Sequence, residues 1–376
     1  MNDNNTPIGI KEKDECPNVE FKARPRDTSS RIIAAVSVFV LVFTVILAIA
    51  ITLINAEWGD SSDTPDTTPG QSVMTPPDEI QSNIENNRDK PSLPSHANAK
   101  EDASAYRPKD SANAKAIEGA SSASALLVDL SSGTVVAQKE LDKSLQIASM
   151  TKVMTLIVAC DYITSADMLY AAIELKYSDR LVGYNKVFVN ENHAITEESV
   201  YVVDLLYGLI LFSGADCAYG LAEGFAGSEA AFVKKMNEKA KAIGMNNTTF
   251  TNCVGKDDGG ANVSTVRDTA TMLTYALKNP LCRAILSESR WACVGKYDLP
   301  TKLYGGNIPS SVHEKVKKNC GNVTVLGGKS GNEDLAGYCL VSFGKNKDGK
   351  EYVCVTVGHK SSYYTDTEMI YTNYAD

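Results

Sequence analysis

Ile147-Ala148-Ser149-Met150-Thr151-Lys152-Val153-Met154-Thr155 is the stretch around which the rest of the chain can be arranged. Val153, Leu156, Ile157 and Cys160 follow at helical spacing, so Ser149 falls at a helix start. Lys152, three positions on, shares its face one turn away. An amine within reach of a hydroxyl is a way to make a serine nucleophilic without histidine. Alone, a Ser-x-x-Lys pattern occurs by chance in most chains.

Two later signals give it weight. Ser213-Gly214-Ala215 follows the apolar run Leu209-Ile210-Leu211-Phe212 and reads as a turn between two helices. Lys329-Ser330-Gly331 follows Val323-Thr324-Val325-Leu326-Gly327-Gly328, on or beside a strand where side chains alternate faces. A second hydroxyl and a second cation, each beside small residues that leave room for a substrate, suit a proton relay and an anion-holding site. Together with Ser149 and Lys152 they point to acyl-enzyme chemistry.

The flanking elements set the fold class. Ala125-Leu126-Leu127-Val128-Asp129-Leu130, a turn at Ser131-Ser132-Gly133 and Thr134-Val135-Val136-Ala137 read as a β-hairpin. Helical patterns cover 199–212, 215–225, 228–243 (ended by Gly244) and 264–277, which stops at Asn279-Pro280. Strands return at 323–326, 337–343 and 351–357, the last two joined by the polar turn 344–350. Strands at both ends with helices between predict an α+β fold: an antiparallel sheet with an inserted helical subdomain.

The segment around Ser149 resembles the active-site segment of the low-molecular-weight penicillin-binding proteins, the serine-type D-alanyl-D-alanine carboxypeptidases. The stretches 204–209, 227–237, 244–252, Ser264-Thr265-Val266-Arg267-Asp268 and Gly327-Gly328-Lys329-Ser330-Gly331 continue the likeness over about residues 120–365. The resemblance implies a penicillin-binding, β-lactamase-like transpeptidase fold and removal of the terminal D-alanine from peptidoglycan stem peptides, with no cofactor; separately, four unclustered histidines and no Cys-x-x-Cys pair argue against a metal site. It implies Ser149 as nucleophile, Lys152 as general base with its pKa depressed by desolvation and by Lys329, and Ser213 as relay to the leaving amine. Lys329 and Ser330 would hold the substrate's terminal carboxylate, beside Gly331. The backbone N–H groups of Ser149 and Asn332 would form the oxyanion hole, and β-lactams would trap Ser149 covalently.

Two positions depart from the family pattern. Ser330 stands where threonine is usual and keeps the hydroxyl. Ala215 stands where asparagine is usual, removing an amide that holds the substrate backbone and contacts the lysine; its loss is worth about 1–3 kcal/mol if unreplaced, with Asp216 or a water as the substitutes. That departure keeps open a non-catalytic or weakly active wall-binding protein. A β-lactamase of the same fold lacks a well-placed Glu motif here, and a D,D-endopeptidase would share every residue named.

Other motifs carry less. Glu333 and Asp334 are adjacent, so on a strand they point to opposite faces and read as a polar loop. Gly255–Gly260 lacks both a phosphate-loop ending and a calcium-loop ladder and reads as a turn. His359 reads as a structural histidine, and the tyrosines Tyr363, Tyr364, Tyr371 and Tyr374 as packing, with a sugar-facing surface as the alternative.

Ahead of the folded part, Ile32 to Ile54 carries no charge over 23 residues, long enough as a helix (about 34 Å) to cross a bilayer. Lys22, Arg24, Arg26 and Arg31 precede it, and Glu57, Asp60, Asp63 and Asp66 follow, which predicts the N-terminus inside and the rest outside. The run is too long for a usual signal core and no small-x-small site follows it, favouring a retained anchor in the lipid bilayer of a cell membrane. The expected order is a cytoplasmic tail (1–31), a transmembrane helix (32–54), a Ser/Thr/Pro/Asn-rich extracytoplasmic linker (55–115) too polar to fold, and a catalytic domain (116–376). A net charge of −9 with no Lys/Arg-dense block argues against nucleic acid as a partner. Eight of the nine cysteines fall on the outer side, as disulfides or as buried thiols.

Overall fold

The computed structural model divides into two units, residues 1–71 and 72–376. It describes residues 103–176, 179–189, 199–257, 262–297, 307–316 and 318–376, all within the second unit. The expected tail, transmembrane segment and most of the linker lie outside the described residues. Among the described residues no helix is long and apolar enough to cross a membrane.

A seven-stranded sheet forms the spine. Five strands build most of it: β1 (Ser124–Asp129), β2 (Thr134–Lys139), β3 (Val323–Glu333), β4 (Gly337–Asn346) and β5 (Glu351–His359). Their spatial order is β2-β1-β5-β4-β3, edged by Lys115–Ala116 next to β2 and Asn319–Cys320 next to β3. Every pairing is antiparallel except that of Lys115–Ala116 with β2. The N-terminal hairpin thus joins the C-terminal strands through β1 and β5, with Val128 opposite Val353 and Leu126 opposite Val355.

Why β1 is apolar at nearly every position follows from its two covered faces. Leu126 and Val128 belong to the larger core beneath the helices, whereas Ala125 and Leu127 belong to a second core on the other face. That second core is closed by α7 (Thr365–Tyr374), a helix not expected from the sequence, through Ile370 and Tyr371.

The helical subdomain contains α1 (Lys152–Tyr162), α2 (Val202–Leu211), α3 (Ala215–Ala226), α4 (Glu229–Ala242), α5 (Val266–Ala276) and α6 (Pro280–Ser287). Helix α1 is buried from Lys152 through Cys160, as befits a helix apolar almost all round. Ser228 caps α4 by accepting from the Ala231 N–H at 3.2 Å, and Thr265 caps α5 by accepting from Asp268 N–H at 3.0 Å. Asn279-Pro280, expected to stop the preceding helix, also starts the next one. The Asn279 carboxamide oxygen accepts from Leu281 and Cys282, and Pro280 occupies the first turn where no N–H is needed.

The last part of the expected linker is bound to the domain. Arg107 donates to Asp268 at 2.7 Å, and Arg267 donates to the Pro108 carbonyl and pairs with Asp110 and Asp142. The described cysteines are free thiols, mostly buried, so of the two readings left open it is the buried thiols that the fold contains.

Candidate active site

Ser149 lies in a tight 3-10 turn, Ala148–Thr151, that runs directly into α1. Ala148 enters it at φ +46°, a left-handed conformation rare for a residue with a side chain. The reversal turns Ser149 out of the core, half-buried, while Lys152 points inward and is 1% exposed. Lys152 Nζ is 3.1 Å from Ser149 Oγ and donates to the Val254 carbonyl at 2.7 Å.

Burial is the leading influence on Lys152 and pulls its pKa down to about 8. Cys253, Glu333, Cys217 and Asp216 surround it and oppose that fall. Desolvation, expected from the sequence together with Lys329, leads. A base with a pKa near 8 holds an appreciable neutral fraction at ordinary pH, which proton abstraction requires.

The second signal occupies the turn between α2 and α3. Gly214 N–H donates back to the Gly208 carbonyl at 3.0 Å, ending α2, and Ser213 sits there at φ +62°. A non-glycine residue in this region is strained, a state typical of functional turns. Ala215 opens α3, fully buried, its N–H donating to the Asn185 carbonyl at 2.8 Å. Asp216, named above as a substitute for the missing amide, is engaged elsewhere. Its carboxylate accepts from the backbone N–H of Val187, Phe188 and Cys217. Burial raises its pKa while those bonds oppose the rise.

The third signal lies within β3, whose pairing with β4 continues to Glu333 opposite Gly337. The strand expected to end at Leu326 therefore runs through the whole motif. Lys329 is fully buried and donates to the Ser330 carbonyl at 2.7 Å; the Ser330 hydroxyl is 3.2 Å from that of Ser311. Gly331 is the point of closest approach. A Cβ there would stand 2.9 Å from Ser149 N, 3.0 Å from Ala148 Cβ and 3.1 Å from Ile147 O. Asn332, exposed, follows opposite Tyr338.

The structure thus brings Lys152 to Ser149, packs Gly331 against the Ser149 turn, and sets the start of α3 and the end of β3 within electrostatic range of the lysine. His359 is turned elsewhere: its Nδ1 accepts from Ser361 and Ser362 N–H, and its Nε2 faces Asp366 at 3.9 Å. Sequence reasoning missed Val254, Ser311 and the proximity of Glu333 to Lys152.

Comparison with known proteins agrees with this arrangement. The family model described as D-alanyl-D-alanine carboxypeptidase matches residues 110–361. A D-alanyl-D-alanine carboxypeptidase of Bacillus subtilis is 32% identical over 163 residues, 41% of this chain and 39% of the relative. One from a Streptomyces species is 32% identical over 231 residues, 59% of this chain and 75% of the relative. The chain therefore spans well under half of the first relative's length and three quarters of the second's. Among solved structures, a single-site mutant of a Streptomyces DD-transpeptidase has a TM-score of 0.57 at 26% identity, covering 68% of this chain and 98% of that one. A D-alanyl-D-alanine carboxypeptidase of Mycobacterium tuberculosis has a TM-score of 0.55 at 25% identity, covering 67% and 88%. These likenesses place the described domain in the α+β penicillin-binding fold. With the family model running across both ends of the sheet and all three motifs, the chain belongs to the D-alanyl-D-alanine carboxypeptidase family, Peptidase S11.

Proposed function

We propose that the protein is a serine D-alanyl-D-alanine carboxypeptidase that shortens peptidoglycan stem peptides by one residue. The observation that carries this reading is the buried Lys152 amine, its pKa near 8, lying 3.1 Å from the Ser149 hydroxyl. Ser149 Oγ attacks the carbonyl carbon of the penultimate D-alanine while its proton passes to the neutral Lys152 amine. Ser213 relays that proton to the leaving nitrogen, the C–N bond breaks, and D-alanine departs. Water then attacks the ester, Lys152 takes its proton, and Ser149 recovers its hydroxyl hydrogen as the shortened peptide leaves.

The developing oxyanion is assigned to the backbone N–H groups of Ser149 and Asn332, on either side of Gly331. Lys329 and Ser330, with Ser311 behind it, are assigned to the substrate's terminal carboxylate. The strain at Ala148 and Ser213 supports both turns as working parts of the site. β-Lactams would acylate Ser149; a solved neighbour, penicillin-binding protein D2 of Listeria monocytogenes, is described in an ampicillin-bound form. Anchoring through residues 32–54, N-terminus inside and catalytic domain outside the membrane, is proposed on the length and flanking charge of that segment.

A second reading has its own support. A D-alanyl-D-alanine endopeptidase of Escherichia coli is 31% identical over 221 residues, 58% of this chain and 66% of that protein. Offering the purified full chain a stem pentapeptide and a cross-linked dimer side by side decides between them. Free D-alanine from the pentapeptide alone supports the carboxypeptidase; cleavage of the dimer alone supports the endopeptidase.

A further inference from the structure

The Lys152 amine is held from two sides, by Ser149 and by a carbonyl 102 positions away, Val254 O. A neutral amine has two N–H bonds and one lone pair. The carbonyl has no proton to give, so it always takes an N–H. With one N–H turned towards Val254, the lone pair can face the Ser149 O–H. The position of that carbonyl therefore decides where the base points.

Two asparagines build the turn that carries it. Asn252 Oδ1 accepts from three successive backbone N–H groups, those of Val254 (3.2 Å), Gly255 (2.7 Å) and Lys256 (3.1 Å). Asn262, 2% exposed, lies behind it. Its Oδ1 accepts from Thr251 N–H at 2.7 Å and Asn252 N–H at 3.2 Å. Its Nδ2 donates to the Asn252 carbonyl at 3.0 Å and to Thr151 Oγ1 at 2.8 Å. The amide thus uses both acceptor sites and both donors. Thr151 is the residue immediately before Lys152, so one side chain clamps the nucleophile turn to the Val254 turn. Aspartate could not donate to both, and glutamine would add a methylene to a buried fit.

Two further contacts hold the same junction. Thr155 Oγ1 donates to the Cys253 carbonyl at 2.7 Å. Gly255, at φ +91°, lies directly against the Ala148 carbonyl, where a Cβ would collide.

We propose that Asn262 is a positioning residue: it fixes the Val254 carbonyl relative to the Ser149 turn and so directs the Lys152 lone pair at the nucleophile. This rests on the roles given above to Ser149 and Lys152. The charged or titratable groups that act most strongly on Lys152 are Cys253 on the turn, Glu333 on β3, and Asp216 and Cys217 on α3. Glu333, Asp216 and Cys217 lie on other elements and keep their places when Asn262 is substituted, whereas Cys253 moves with the turn, so a changed pH profile reports the position of that turn against the lysine.

The test compares wild type, Asn262→Ala, Thr151→Val and the double variant in the full chain, measuring acylation by fluorescent penicillin and hydrolysis of a diacyl-D-Ala-D-Ala peptide against pH. Misplacing a catalytic group by about 1 Å costs up to about 100-fold in rate. Asn262→Ala should lower kcat at least about tenfold with KM within about twofold. The acid limb of its profile should move to lower pH, because the ammonium has lost a well-placed acceptor. Thr151→Val, which keeps the side chain's shape, should lower kcat in the same direction, and the double variant should be no worse than Asn262→Ala alone. A folded Asn262→Ala protein with kcat within threefold of wild type and an unmoved acid limb overturns the proposal, as do strictly additive losses. If Asn262→Ala does not fold, Thr151→Val decides: a kcat loss with unchanged KM supports the clamp, and wild-type kcat overturns it. Wild type that is neither acylated nor active would instead remove the Ser149–Lys152 reading, a result distinct from failure of the clamp.

Discussion

Gly331 and the backbone nitrogen of Ser149 are so close that a Cβ on the glycine would sit 2.9 Å from that nitrogen. The distance is tighter than ordinary van der Waals contact, and its neighbours are backbone and a short Ala148 side chain that cannot swing away. Strand β3 and the Ser149 turn therefore meet only because residue 331 has no side chain. Gly331→Ala should push the strand off the turn and widen the gap between the two N–H groups assigned to the oxyanion. Acylation by penicillin should fall about 10- to 100-fold, in the range for a displaced oxyanion donor, while the far-UV circular dichroism stays native. Wild-type acylation by a folded Gly331→Ala protein would contradict the arrangement.

Lys152 gives a pH prediction with a definite sign. Its pKa in the fold is about 8 against 10.5 for a free lysine. Activity that needs the neutral amine should rise with pH and level off above about 8. Stability follows the same group. Between about pH 8 and 10.5 the unfolded chain carries a proton on this lysine that the folded chain lacks, so stability rises with pH across that window. Below pH 8 the full cost of the buried charge is present. Lys152→Met lacks the titration, so the stability of wild type relative to it should increase between pH 8 and 10.5, by an amount on the order of 3 kcal/mol. Thermal melts of the two proteins across that range measure it.

Asp216 carries structure instead of chemistry. Its buried carboxylate accepts from Val187, Phe188 and Cys217 N–H groups, tying the 187–188 segment to the start of α3. Asp216→Ala leaves those buried donors without an acceptor and should cost about 2–4 kcal/mol by denaturant unfolding. The partner Val187–Phe188 segment should then exchange its amide hydrogens faster than the sheet does.

What the sequence makes legible here is what local spacing encodes. Ser149 and Lys152 lie three residues apart on one turn, and Ser213-Gly214 separates two apolar helical runs, so both could be placed without tertiary knowledge. The hairpin at 124–139 was readable because β1 is apolar on both faces. Strand β3 was read too short because Gly327-Gly328 resembles a breaker, whereas the β4 ladder carries the pairing through to Glu333. Helix α6 was hidden by Asn279-Pro280, a pair that both ends one helix and caps the next. Ser311, Val254 and Asn262 reach the site across 19, 102 and 111 positions, and no periodicity records such contacts.

The most direct measurement is mass-spectrometric mapping of the penicillin adduct on the full chain, beside D-alanine release from a diacyl-D-Ala-D-Ala peptide by wild type and by Ser149→Ala. Wild type should carry a single adduct on the peptide containing Ser149 and release D-alanine, and Ser149→Ala should do neither. An adduct on any other residue, or D-alanine release that survives Ser149→Ala, would contradict a Ser149 nucleophile driven by Lys152.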